Sequence, residues 1–87
     1  MEQFTNNRIV QIDFDASVAG ALSGMNKVLI FTATQPCYIR INQDDVTALN
    51  GFYIPANTNI EISVTKASKV AAIKVTSSGK LTIMELF

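Results

Sequence analysis

Residues 35–64 of the chain, QPCYIRINQDDVTALNGFYIPANTNIEISV, decide the fold class. They contain three short runs of strand-forming residues, CYIRI, GFYI and NIEISV, separated by clusters of turn-forming Pro, Asn, Asp and Gly. In the first run Cys37 and Ile39 point to one face and Tyr38 and Arg40 to the other, because side chains alternate along a strand. The stretch therefore predicts a β meander with one buried and one solvent-exposed face, and it places Cys37 in the core.

Similar alternating runs flank this stretch on both sides: RIVQIDFD, KVLIFTAT, KVAAIKVT and LTIMELF. In RIVQIDFD the apolar face holds Val10, Ile12 and Phe14, and in KVAAIKVT one face holds Ala71, Ile73 and Val75 with Lys69. The run KVLIFTAT is apolar on both faces, so it predicts a central strand, or a strand whose outer face lies in a subunit contact. After the break at Gln35-Pro36, CYIRIN is predicted to pair with it as a hairpin. Residues 16–26 contain Gly20 and Gly24 and predict a loop that crosses the fold. Residues 77–79, Ser-Ser-Gly, predict a tight hairpin loop. Together the runs predict an all-β fold, a compact antiparallel β-sandwich or small, jelly-roll-like barrel of about seven strands.

The composition is apolar for a chain of this size. Hydrophobic residues make up 48% of the 87 residues and charged residues only 16%, where about a quarter is usual. Residues 1–87 predict a single domain, with residues 1–7 as a possible N-terminal arm. Because so small a domain cannot bury this excess, we expect other copies or a larger partner to cover it. The candidate interface residues are Leu29, Phe31, Tyr38, Tyr53, Met84, Leu86 and Phe87.

Several classes of function lack their sequence signals. Seven basic residues balance seven acidic ones, so the chain has no basic surplus for nucleic acid. No run is long enough to cross a membrane, and the start, MEQFTNNR, lacks the layout of a signal peptide. The chain has no histidine and no phosphate-binding, nucleophile-elbow or CxxC motif. We therefore predict no enzyme activity, no catalytic or metal site and no cofactor.

Clustered polar residues offer two weaker possibilities. Asp44 and Asp45 predict a solvated turn, with a weak calcium site that also uses Asn42 as the alternative. Tyr38 and Tyr53, beside Arg40, predict ordinary cross-strand packing, with a platform for a sugar or a protein as the alternative.

One resemblance adds to this interpretation. The order CYIRIN, polar turn, GFYIPAN, alternating strand and KVAAIKVTSSGKLTIMEL resembles small bacteriophage virion proteins over roughly residues 27–86. The resemblance implies a β-sandwich made in the host cytoplasm that decorates the capsid surface as a cement protein. It also implies a homo-oligomer, most plausibly a trimer, that binds the major capsid protein. The alternatives are a receptor- or carbohydrate-binding fibre or tail module and a head-to-tail connector subunit.

Overall fold

The computed structural model describes residues 7–87, which form eight β-strands in two four-stranded sheets. The strands are β1 (Asn7–Phe14), β2 (Val18–Ala21), β3 (Val28–Ala33), β4 (Cys37–Ile41), β5 (Phe52–Ile54), β6 (Ile60–Ser63), β7 (Lys69–Lys74) and β8 (Gly79–Leu86). Sheet I has the order β1-β8-β3-β6 and sheet II the order β2-β7-β4-β5. Every strand pair in both sheets is antiparallel.

This strand order is that of a jelly roll, in which two Greek keys wrap into facing sheets. The predicted fold class, a compact antiparallel β-sandwich or small jelly-roll-like barrel, is therefore confirmed as a β-sandwich, with eight strands where about seven were predicted. Among residues 7–87 no helix has the length and apolar character needed to span a bilayer.

Local strand pairing differs from the prediction. Of the meander's three strands, β4 and β5 pair in sheet II, whereas β6 pairs with β3 in sheet I. The predicted hairpins between β3 and β4 and between β7 and β8 are also wrong, because each of these connections crosses from one sheet to the other. Turn residues predict where a strand ends but not which sheet the chain enters next, and in a jelly roll most connections change sheets.

The region predicted as a crossing loop contains a strand. Residues 18–21, VAGA, pair as β2 with β7 at the edge of sheet II. A side chain at Gly20 would place its Cβ 2.7 Å from the Ile12 side chain. The glycine therefore lets β2 approach β1 closely, although glycine in a strand normally argues against one.

The core lies between the two sheets and is built from alternating side chains. Ile12 and Phe14 of β1 are buried, as are Cys37 and Ile39 of β4, which confirms the core faces predicted for these two strands. β3 lies between β8 and β6, so its predicted central position is also confirmed.

A long loop, residues 42–51, covers part of the outer face of sheet II, and we call it the strap. At its start the Ser68 amide donates a hydrogen bond of 2.8 Å to Asn42 Oδ1. At its middle the Val46 amide donates to Ser17 Oγ at 3.0 Å, beside β2. The strap thus crosses β7, which explains why Ala71 is fully buried although its side chain points away from the core.

Candidate interaction surfaces

The outer face of sheet I carries a row of apolar side chains. The strand register aligns Ile9 of β1, Met84 of β8 and Ile30 of β3 across three neighbouring strands. Ile9 is 56% exposed, and the other two are partly exposed. Thr82 and Thr32 form the next pair in the register. On the fourth strand the row ends at Glu61, an exposed carboxylate of β6 that pairs with Ile30. A sheet face with an apolar row beside a charged edge is typical of a surface that contacts another protein.

The outer face of sheet II differs because the strap covers part of it. Beside the strap, Tyr38 of β4 pairs with Tyr53 of β5. Their rings meet edge to face, with centroids 5.8 Å apart and planes inclined at 65°. This is the cross-strand packing that the sequence predicts, and Tyr53 stays 48% exposed. Alternation along a strand predicts that one of the neighbours Phe52 and Tyr53 turns inward. This prediction is wrong at the short edge strand β5, where Phe52 is exposed as well.

A buried carboxylate ties one end of the sandwich together. Glu85 is fully buried, and its Oε1 accepts three hydrogen bonds of 2.8–2.9 Å from the Ser23 amide, Ser23 Oγ and Asn26 Nδ2. Asn26 also bonds both backbone groups of Ala67, donating from Nδ2 to the carbonyl and accepting the amide at Oδ1. Glu85 therefore anchors two loops, residues 22–27 and 64–68, to the end of β8.

The charge of Glu85 is compensated mainly by these neighbours. Burial acts to raise the pKa of Glu85, but the hydrogen bonds from Asn26 and Ser23 and the nearby Arg8 guanidinium outweigh it, so the pKa lies below its usual value. Arg8 Nη1 is 3.5 Å from Glu85 Oε2, which accepts no hydrogen bond within the described chain. Glu85 is therefore held as a carboxylate at neutral pH.

Two apolar grooves flank this anchored end and share Met25 as the ridge between them. The first, of about 520 Å³, is lined by Asn7, Arg8, Ser23, Met25 and Phe87. The second, of about 340 Å³, lies between the two anchored loops and has Lys27, Val64 and Lys66 in its lining. Met25 is 78% exposed. We call this surface the double groove.

The remaining polar candidates show no reactive arrangement. The ammonium group of Lys69 is 2.9 Å from Asp44 Oδ1. Asp44 is therefore paired with a lysine, whereas the calcium alternative requires it to bind a metal ion. Within residues 7–87 no three Cys, Asp or Glu side chains cluster as metal ligands. Cys37 is fully buried, and burial raises its pKa to about 11, which leaves the thiol protonated.

The seven predicted interface residues fall into different environments. Leu29 and Phe31 are fully buried in the core and Leu86 is 5% exposed, so the prediction that these three offer a contact surface is wrong. The outward side chains of β3 are instead Val28 and Ile30. The other four reach the surface in three separate places: Met84 on sheet I, Phe87 in the double groove, and the Tyr38–Tyr53 pair on sheet II.

Sequence reasoning missed Ile9, Ile30 and the Glu85 network. Val10, Ile12 and Phe14 share the inward face of β1, so the odd-numbered Ile9 must point outward. An outward apolar residue could therefore have been predicted at this position. Glu85 had no such signal, because its partners Ser23 and Asn26 are 62 and 59 residues away in the sequence.

Comparison with known proteins shows the fold alone. No family model matches the chain, and no curated protein matches it. Among solved structures, the chain is similar to a cupin-2 domain containing protein from Shewanella frigidimarina, with a TM-score of 0.53 and 9% sequence identity. The match covers 99% of this chain and 76% of the other. It supports a cupin-like β-sandwich and carries no activity over to this chain.

Proposed function

We propose that the chain is a non-enzymatic structural protein of a bacteriophage virion. In this role it is a cement protein that decorates the capsid surface as a homotrimer and binds the major capsid protein. The observation that carries the proposal is the outer face of sheet I, where Ile9, Met84 and Ile30 form an apolar row across three neighbouring strands.

The size of this row fits a role that depends on many copies. Three adjacent strands span two strand spacings, about 10 Å, so one copy offers a single subunit only a small apolar contact. A trimer that engages three equivalent subunits converts three weak contacts into one strong attachment. A repeated lattice is therefore the surface on which such a patch is effective.

The rigid architecture supports the same role. Both sheets have four strands, and the core between them is filled by apolar side chains such as Phe14, Phe31 and Ile83. A stiff body of this kind is suited to carrying load between the subunits it bridges.

The test uses phage heads that lack the protein. Purified protein is added to such heads, and co-sedimentation and resistance to rupture are measured for wild type, Ile9→Asp and Val75→Asp. Val75 is an exposed apolar residue outside sheet I, so it is the matched control. We expect Ile9→Asp to lose at least tenfold in head affinity while Val75→Asp binds as wild type. Equal binding by all three proteins would contradict the proposal.

A carbohydrate-binding fibre or tail module is the second candidate, favoured by the exposed ring of Tyr53 beside Tyr38. Stacking on a sugar uses the face of such a ring. Binding on a glycan array that Tyr53→Ala abolishes without loss of fold would favour this candidate over cement.

A further inference from the structure

One leucine of the strap points into solvent and is almost fully exposed. Leu49 is 99% exposed. The turn around it is held by hydrogen bonds from the Thr47 amide to Asn50 Oδ1 at 2.8 Å and from the Leu49 amide to Thr47 Oγ1 at 3.3 Å. A bond from the Asn50 amide to the Thr47 carbonyl closes the turn. An apolar side chain on a pre-ordered turn is suited to act as a binding anchor, because little ordering entropy is lost on contact.

The strap also carries an acid without a partner. Asp44 is paired with Lys69, whereas Asp45 is exposed and makes no ion pair within residues 7–87. The tip of the strap is therefore apolar and anionic.

The double groove has the complementary character. Its ridge, Met25, and the side chain of Phe87 give apolar walls. Lys27 and Lys66 line its second half, and both are exposed and make no ion pair with any residue in the described part of the chain. Glu85 is buried and paired with Arg8, so it adds no exposed negative charge to this surface. The half of the groove that Lys27 and Lys66 line is therefore apolar and cationic.

We propose that the strap of one copy docks into the double groove of a second copy, with Leu49 against Met25 and Asp45 facing Lys66 and Lys27. The inference rests on the proposed self-assembly and names the surfaces that carry it. The strap and the groove are different surfaces of the chain, so the contact is heterologous and repeats from copy to copy until a ring closes.

Mixing two defective variants tests the contact. Leu49→Asp removes the anchor and Met25→Asp blocks the groove, and both positions are exposed, so both variants keep the fold. In sedimentation velocity we expect each variant alone to lose at least tenfold in self-association. A mixture of the two is expected to form one-to-one heterodimers, because the intact groove of the first accepts the intact strap of the second. Val75→Asp, the control, is expected to assemble as wild type.

Charge exchange gives an independent readout. Asp45→Lys and Lys66→Asp are each expected to weaken assembly, and the double variant is expected to recover part of it. Lys66 has a φ of 60°, a conformation that Asp accepts. Wild-type oligomers that survive Leu49→Asp and Met25→Asp, or a mixture without heterodimers, would overturn the inference while leaving self-assembly intact. A wild-type chain that stays monomeric at high concentration would overturn the proposed self-assembly itself.

Discussion

Replacing Glu85 with Gln tests how one end of the sandwich is held together. The substitution keeps the size of the side chain and removes its charge. Three hydrogen bonds of 2.8–2.9 Å to Oε1 become neutral, and each is expected to weaken by about 1 kcal/mol. The substitution also removes the charge attraction between Glu85 and the Arg8 guanidinium, whose Nη1 lies 3.5 Å from Glu85 Oε2. Relief of the buried charge offsets part of this loss, so we expect a net destabilisation of about 2 kcal/mol.

The pH dependence of this destabilisation shows whether the charge of Glu85 is its cause. The pKa of Glu85 is lowered in the fold, so its contribution is full above the ordinary carboxyl pKa of 4.5 and is lost as the pH falls through the lower folded value. The assay is urea unfolding of wild type and Glu85→Gln from pH 7 to pH 3 at one protein concentration. We expect the difference between the two proteins to be largest at pH 7 and to shrink below about pH 4.5.

A matched control separates this effect from a general loss of charge. Glu61→Gln changes an exposed carboxylate of β6 and is expected to shift stability by less than about 0.5 kcal/mol. If Glu85→Gln is as stable as wild type, or if the difference does not change with pH, the assigned role of Glu85 is wrong.

Three further predictions concern the packing. Gly51→Ala is expected to destabilise the fold by about 1–3 kcal/mol in chemical unfolding, because its Cβ would lie 2.5 Å from Tyr38 Cβ; an unchanged midpoint would show that the strap is not packed as described. Phe31→Ala is expected to lower the free energy of unfolding by about 3–5 kcal/mol, and a surface-like loss below 1 kcal/mol would contradict its burial. Cys37, with a pKa raised to about 11, is expected to resist iodoacetamide at pH 8 until urea unfolds the chain, and rapid labelling of the folded protein would refute this.

The fold class could be predicted from the sequence because alternation and turn residues are local signals. The runs around Ile12 and Ile39 showed which faces enter the core, and both are buried. Strand partners were not predictable in this way, since pairing in a jelly roll joins residues far apart, as when Ile9 meets Met84. In β7 the alternation of Ala71, Ile73 and Val75 did not mark the core face. Val70 and Ala72 face the core, and the strap buries Ala71 from outside.

The interaction surfaces were less predictable than the core. An excess of apolar residues indicates that a contact surface exists, but its place depends on which faces the chain covers with its own loops. The strap covers part of sheet II, while Ile9 and Ile30 on sheet I stay accessible. This outcome depends on the Val46 contact to Ser17, which is 29 residues away and has no local sequence signal.

Electron cryomicroscopy of assembled phage heads would show how the chain sits on the capsid. We expect copies whose sheet I faces the capsid through Ile9, Ile30 and Met84 and whose neighbours meet strap to groove. Isolated copies, or copies that turn sheet I toward solvent, would contradict this expectation.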